Sequence, residues 1–336
     1  MTEIPESERT TQALIDKYIE SQKERPRPHL GASLLGHPCD RWLWLSFRWA
    51  VIERFSGRML RLFRRGKREE ETIVQDLRNA GIVIHSTCLD EGGQDAVNFG
   101  CHVSGSIDGI IESGVPEAPA TRHIAEFKTH SLKSFAKLKA EGVRKAKLQH
   151  WCQMQVYMMG KKIDRALYLA VCKDNDEIYT ERVDFDPRAA KALVDRGRRL
   201  ALTERLPEPL SSNPSWWECA YCPAHDFCHV SHKIKEVNCR TCCHVTPIAD
   251  GTWTCALMGK ELSYEEQLEG CARHVVHPDL VPWRWKGASQ DGRAAKFEIN
   301  GQEVLIGEGD ANVYSSKEIL GVAGPVEKVE EMELPF

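Results

Sequence analysis

Two short runs of this sequence hold residues whose types and spacing suit phosphoryl chemistry. The run GSIDGIIE carries Asp108, and eighteen residues later HIAEFKTHS carries Glu126 and Lys128. Side chains alternate along a strand, so Glu126 and Lys128 are expected on one side and Ala125 and Phe127 on the other. If the two runs pair, Asp108 and Glu126 converge at the sheet edge. Carboxylates bind Mg²⁺, which keeps several waters and takes phosphate oxygens as further ligands. Such a metal lowers the pKa of a bound water and steadies the charge of a displacement. A lysine beside it can orient the nucleophile or neutralise developing charge. Taken alone, Glu-x-Lys in a chain that is 28% charged describes a surface ion pair equally well.

Two other features add to this centre. Glu70 falls on the apolar line of a helix through Leu60, Phe63, Ile73, Val74 and Leu77, and a carboxylate on a buried face needs a partner or a metal. Further on, His150, Gln153 and Tyr157 share one helix face at i, i+3 and i, i+4 spacing. That trio suits a metal site's supporting shell or a phosphate, and it equally suits the polar edge of an amphipathic helix.

Two groups stand out among the thirteen cysteines, at 219–228 and 239–271. Cys219, Cys222 and Cys228 stand close together and leave a tetrahedral site one ligand short. His225, His229 and the distant Cys39 are candidates for the fourth. The second group, Cys239, Cys242, Cys255 and Cys271, has the outline of a zinc ribbon, with His274 competing for the last position. A module this small rarely has core enough to fold without such a staple. Cys88, Cys101, Cys152 and Cys172 are expected in the core.

The elements that must position these residues follow from hydrophobic period and turn residues. A polar helix is expected over 8–24, then a dense aromatic run with Ser33 as cap. A long helix is expected over 58–79, and strands at 82–88, 97–104, 106–112 and 122–128. One helix is expected over 133–160, ended at Gly160, then strands at 165–172 and 177–184 and a helix over 187–204. Lys296–Asn300 and Glu303–Ile306 read as a strand pair. This order predicts an α/β or α+β core around one central sheet.

Hydrophobic residues make up 42% of the 336, as in an ordinary soluble globular chain. The longest apolar run, Ala166–Cys172, is far below the ~20 residues of a membrane helix. The opening MTEIPESERTTQ lacks the regions of a secretory signal, so a cytoplasmic chain with reduced cysteines is expected. Charge is unevenly placed: Arg41 to Arg68 holds nine Lys or Arg and one acid. That stretch suits a polyanion, with Arg41, Arg61, Arg64, Arg65, Lys67 and Arg68 as candidate DNA contacts. Trp42 and Trp44 are expected to pack rather than stack on bases.

Glu70, Asp108, Glu126-x-Lys128 and Gln153-x-x-x-Tyr157 resemble, in order and approximate spacing, the RecB-like branch of the PD-(D/E)xK nucleases, which includes phage exonucleases. The resemblance spans roughly 30–230. It implies a restriction-endonuclease-like central mixed sheet flanked by helices, with Asp108 and Glu126 binding Mg²⁺ or Mn²⁺, Lys128 assisting the attacking water and the Gln153/Tyr157 helix contacting substrate. Where many members read Gly-His-x-x-Glu, this chain reads Gly66-Lys67-Arg68-Glu69-Glu70. A subset of the family holds a [4Fe-4S] cluster with one cysteine before the core and Cys-x2-Cys-x5-Cys after it. That implies a clasp of Cys39, Cys219, Cys222 and Cys228.

The resulting expectation is a metal-dependent DNA nuclease, on family grounds an exonuclease working from DNA ends in phage-type or bacterial recombination or repair. The host cytoplasm is its place if the chain is phage-encoded. The expected organisation is an N-terminal arm (1–30), a nuclease core with its clasp (31–235), a Zn²⁺ module (236–282) and a strand pair with an acidic tail (283–336). The alternative is a catalytically weak DNA-binding scaffold whose zinc module docks a partner. The last residues, EEMELPF, resemble the tail tip of bacterial single-stranded-DNA-binding proteins. They are expected either to dock a recombination or repair protein through the terminal carboxylate or to be solvated without a role.

Overall fold

The computed structural model describes residues 10–22, 25–86, 89, 95–309 and 312–322. Cys88 and the acidic tail lie outside these. The first half of the chain runs α1 (Thr11–Ser21), β1 (Leu30–Gly31), α2 (Asp40–Phe47), α3 (Gly57–Asn79), β2 (Val83–Ser86), β3 (Ala96–Asn98), β4 (Val103–Ser106), β5 (Gly109–Ser113) and β6 (His123–His130). It continues with α4 (Leu132–Ala146), α5 (Leu148–Lys161), β7 (Arg165–Cys172), β8 (Ile178–Asp184) and α6 (Pro187–Leu202). The described residues fall into two compact units. One holds the chain through His37 and Glu53–Arg199; the other holds Pro38–Ile52, hence α2, and the chain from Leu200 onward.

The first unit is mixed α/β. Its five-stranded sheet has the order β2-β5-β6-β7-β8. Only β6 and β7 pair in parallel, the other neighbours being antiparallel. A parallel pair needs a long crossover, and α4 and α5 supply it. Ala125 and Phe127 of β6 pack with Leu167 and Leu169 of β7 against Ile73 and Val74 of α3, giving one apolar face. The alternate residues Glu126, Lys128 and His130 face the other way, where α4 and α5 cover the strands.

Several elements differ from the sequence expectation. The single helix over 133–160 is two, α4 and α5, parted at Lys147 (φ −140°, ψ 55°), and α4 is itself kinked at Gly142, which adopts φ +73°, where side-chain-bearing residues are strained. Glu181 then accepts the Val143 N–H at 2.7 Å. The α5 helix ends at Lys161, one residue beyond Gly160, with Lys162 left-handed at φ 54°. The expected strand 97–104 is a hairpin of β3 and β4, turned through Cys101 and His102, both at positive φ. Cys101 is therefore half-buried in a turn and not a core residue, whereas Cys152 and Cys172 are buried. Cys39, not Ser33, caps α2: its Sγ accepts the Trp42 N–H at 3.4 Å. Phe63 is 42% exposed against Phe55 rather than lying in the core; the first half of α3 packs on α1, where Gly57 and Arg61 meet Asp16.

In the second unit follow α7 (Trp217–Ala220), β9 (Val245–Pro247), β10 (Trp253–Cys255), β11 (Lys260–Glu261) and α8 (Tyr264–Glu269). Then come β12 (Arg284–Ala288), β13 (Ala294–Ile299), β14 (Gln302–Gly307), β15 (Val313–Tyr314) and α9 (Ser316–Leu320). β9, β10 and β11 form a small antiparallel sheet, and β12 to β15 form a four-stranded one. The expected strand pair near the end is thus the middle of a larger sheet. Its core joins Phe297, Ile306 and Leu320 to Trp42, Trp44 and Leu45 of α2. Among the described residues no helix is long and apolar enough to cross a membrane.

Candidate active site and cysteine centres

The antiparallel pairing of β5 and β6 sets Gly109 opposite Ala125. Asp108 precedes β5 at a bend and is not itself in the strand. Its backbone carbonyl accepts from Ser86 Oγ at 3.2 Å, and its Oδ2 accepts the Phe127 N–H at 3.0 Å. Lys128 Nζ forms an ion pair with Glu126 Oε1, lies 3.7 Å from Asp108 Oδ2, and donates to the Phe127 carbonyl at 2.9 Å. The ammonium thus bridges two carboxylates that are far apart in sequence.

Glu126 is 0% exposed, and beyond the Lys128 ion pair its carboxylate oxygens accept no hydrogen bond. Burial pushes its carboxyl up to about 8, against Lys128 and with help from Asp108 and Glu70. Burial also raises Glu70 on α3, to about 7, and the next cause is the Asp108 charge. Glu70 is half-buried, so the third carboxylate does reach this centre. Burial works against the Lys128 charge, but Glu126 and Asp108 outweigh it and push its pKa up. Hard oxygen donors with crowded negative charge are the donor chemistry of a Mg²⁺ or Mn²⁺ site. Among the described residues no three His, Cys, Asp or Glu side chains already stand in a coordinating arrangement. The fit therefore rests on donor type and the unsatisfied buried oxygens.

Gln153 donates to Tyr157 Oη at 3.0 Å, and both are buried. Burial first, then Glu126, raises the Tyr157 phenol. Gly105 lets the ring in, since a Cβ there would stand 2.6 Å from Ala32 Cβ and 3.0 Å from Tyr157 Cε1. His150 does not join this pair; its Nδ1 lies 2.8 Å from Tyr168 Oη. Tyr168 sits opposite Glu126 in the parallel register.

His130, Ser134, Lys147 and Tyr168 were not singled out from the sequence. The available signal was the period of two, which carries Glu126 and Lys128 on to His130. Burial first, then nearby lysines, lowers His130 to about 4 and His150 to about 3, so both rings are neutral at pH 7.

The candidate DNA contacts divide. Arg64, Lys67 and Arg68 are exposed on α3. Arg61 is ion-paired with Asp16 of α1, and Arg65 donates to the Lys173 carbonyl at 3.2 Å. Arg41 belongs to the second unit, where its Nε donates to the Pro207 carbonyl at 2.7 Å and its charge reaches Cys228.

In the second unit, burial pushes the Cys222 thiol up to about 11, with Cys39, Cys228 and Cys219 adding to the shift. Burial and then Cys39 likewise raise Cys219. The fold thus brings Cys39 into electrostatic reach of thiols 180 or more residues later in the chain. His225 and His229 face each other, with centroids 5.3 Å apart. Trp42 and Trp44 pack in the apolar cluster that includes Cys39, Cys222 and Cys228. Burial also pushes Cys239 to about 11, with Cys271, Cys242 and Cys255 adding to it. These four line a cavity of about 190 Å³ together with His274, whose Nε2 meets Thr241 Oγ1 at 3.1 Å and whose buried Nδ1 has no hydrogen-bond partner. Four thiols of this kind suit zinc, and the free Nδ1 keeps His274 a competitor.

Two arginines beside this module also went unnoticed in the sequence. The Arg240 guanidinium stacks 3.6 Å from the Trp49 ring centroid and donates to the Phe47 carbonyl and to Gln267 Oε1, each at 2.9 Å. Arg48, 2% exposed, lies over Trp44. A charge-only reading of the basic stretch places Arg48 in solvent; the surrounding aromatic faces explain its burial.

No family model matches this chain, and no curated protein matches it. Among solved structures it is similar to the protein called SSO0001, with a TM-score of 0.40 and 14% identity over 66% of this chain and 98% of that one. LHK-Exo in complex with dAMP matches with a TM-score of 0.36 and 14% identity, over 52% of this chain and 86% of the other. The alkaline exonuclease LHK-Exo from Laribacter hongkongensis matches with a TM-score of 0.33 and 12% identity, over 55% and 90%.

Proposed function

We propose that this chain is a metal-dependent DNA nuclease of the PD-(D/E)xK type, working as an exonuclease in recombination or repair in the cytoplasm. The observation that carries this reading is the Lys128 ammonium, paired with buried Glu126 and 3.7 Å from Asp108. Asp108 and Glu126, with Glu70 beside them, would hold Mg²⁺ or Mn²⁺, which supplies an activated water and neutralises charge on the phosphate. Lys128 holds the attacking water in line and offsets the growing negative charge. Arg64, Lys67 and Arg68 bind the DNA backbone without regard to sequence, which makes binding salt-sensitive.

In the second unit, Cys39, Cys219, Cys222 and Cys228 would hold a [4Fe-4S] cluster as a clasp. Cys239, Cys242, Cys255 and Cys271 would hold Zn²⁺ as a structural staple. The test is release of nucleotides from end-labelled DNA with Mg²⁺ or Mn²⁺, by the wild type and by Asp108→Ala. Equal release by both, or none by the wild type, removes this reading.

A further inference from the structure

Strand β6 continues past Lys128, on the same side, to His130, and there a chain of five side chains begins that the proposed reaction does not yet use. Lys147 Nζ lies 2.6 Å from Ser134 Oγ, which lies 3.2 Å from His130 Nδ1. His130 Nε2 lies 2.9 Å from Tyr168 Oη, and Tyr168 Oη lies 2.8 Å from His150 Nδ1. The rings of His130 and His150 stack at 5.9 Å between centroids, so the chain is packed as well as bonded.

Of the two polarities these contacts allow, one spends every hydrogen of Ser134, His130 and Tyr168 inside the chain and leaves over only the hydrogen at its His150 end. A lysine ammonium only donates, so Lys147 occupies a lone pair of Ser134. The Ser134 hydroxyl then gives its own hydrogen to His130 Nδ1. A neutral imidazole has one acceptor and one donor, so His130 donates from Nε2 to Tyr168 Oη. The phenol has a single hydrogen, which goes to His150 Nδ1. His150 must then carry its proton on Nε2, the ring nitrogen the chain leaves over. The reverse polarity makes Ser134 accept twice and leaves its hydroxyl hydrogen unspent.

The end of the chain lies at the carboxylate centre. Tyr168 stands opposite Glu126 in the parallel register of β6 and β7, and its Oη is the atom that meets His150 Nδ1, so the ring is held on the Glu126 side of the sheet. We propose that His150 is a substrate-contacting residue: its Nε2–H donates to a phosphate oxygen of the DNA strand being cut. Tyr168, His130, Ser134 and Lys147 are the positioning residues that hold its tautomer. The proposal rests on the nuclease reading for its substrate but not for its tautomers.

The two parts are tested separately. Long-range nitrogen–proton NMR on full-length protein labelled with ¹⁵N-histidine reads which ring nitrogen carries the proton. Both His130 and His150 are expected as Nε2–H at pH 7, assigned with His130→Gln and His150→Gln. In Tyr168→Phe, which removes one oxygen, His150 is expected to become a tautomer mixture. A wild-type His150 protonated on Nδ1, or a single unchanged tautomer in Tyr168→Phe, overturns the chain.

On end-labelled DNA, His150→Leu is expected to lose roughly ten- to hundredfold in kcat/KM, the size of one hydrogen bond to a charged oxygen. His150→Gln, which keeps an N–H at similar reach, should recover most of that loss. Undiminished cleavage by His150→Leu overturns the substrate contact. If the wild type cleaves nothing while the tautomers behave as stated, the nuclease reading fails and the chain stands.

Discussion

Asp108 Oδ2 accepts the backbone N–H of Phe127, at 3.0 Å, so the carboxylate is tied to the strand residue lying between Glu126 and Lys128. This bond pins the first acidic group of the site to the second. It also predicts which substitution separates charge from geometry. Asp108→Asn keeps an oxygen for the Phe127 N–H and removes the charge. Its thermal midpoint should stay within a few degrees of the wild type while metal-dependent cleavage is lost, falling at least about a hundredfold. DNA binding, measured by fluorescence anisotropy, should survive. Cleavage near the wild-type rate would mean that the active site lies elsewhere.

Cys39 caps α2 and sits among the thiols of Cys219, Cys222 and Cys228. Protein purified without oxygen should be brown, with broad absorption near ~400 nm from cysteine-ligated iron–sulfur clusters. Cys39→Ser should lose iron as Cys222→Ser does, and both should lower the soluble yield. Iron analysis decides between the readings. A full complement in Cys39→Ser leaves Cys39 a capping and packing residue only.

Arg240 ties the loop that carries Cys239 and Cys242 to the end of α2 by stacking on Trp49 and donating to Phe47 and Gln267. Arg240→Ala should cost about 3–5 kcal/mol, because it opens a cavity and strands two buried acceptors. Arg240→Lys should recover little, since an ammonium neither stacks as a plane nor forks to two acceptors. Urea titrations of the three proteins measure this. An Arg240→Lys midpoint equal to the wild type would contradict it.

His277 gives a pH dependence with a defined sign. Burial first, and repulsion from Arg48 next, lower it from 6.5 to about 4, with Asp279 opposing and Arg205 adding to the repulsion. Its stabilising effect is present above 6.5, where the ring is neutral in both states. Below that the unfolded chain takes up a proton that the folded chain refuses, so stability falls as pH drops from 6.5 towards 4. His277→Asn keeps an acceptor for the Asp279 N–H, which His277 Nδ1 now receives at 3.2 Å. Its thermal midpoint should decline less over that window. Parallel slopes for the two proteins would rule out His277 as the source.

The sequence by itself determined the local features, those set by residue types and spacing over a few positions. The period of two on β6 put Glu126 and Lys128 on one side and Ala125 and Phe127 on the other. The apolar line of α3 carried Glu70 with it, and the cysteine spacings marked out both thiol groups. Strand β7 lies at 165–172 as its unbroken apolar run indicates, because a strand covered on both faces has no polar positions. Only the tertiary structure decided what depends on register and on long loops. The crossover through α4 and α5 sets the parallel pairing that lays Tyr168 beside Glu126, and no local pattern encodes that register. Gly142 kinks and Lys147 interrupts a helix that periodicity alone continues. Arg48 and Arg64 look alike in a basic stretch, yet one is enclosed by tryptophans and the other is solvated. The difference comes from aromatic faces brought in from residues far along the chain.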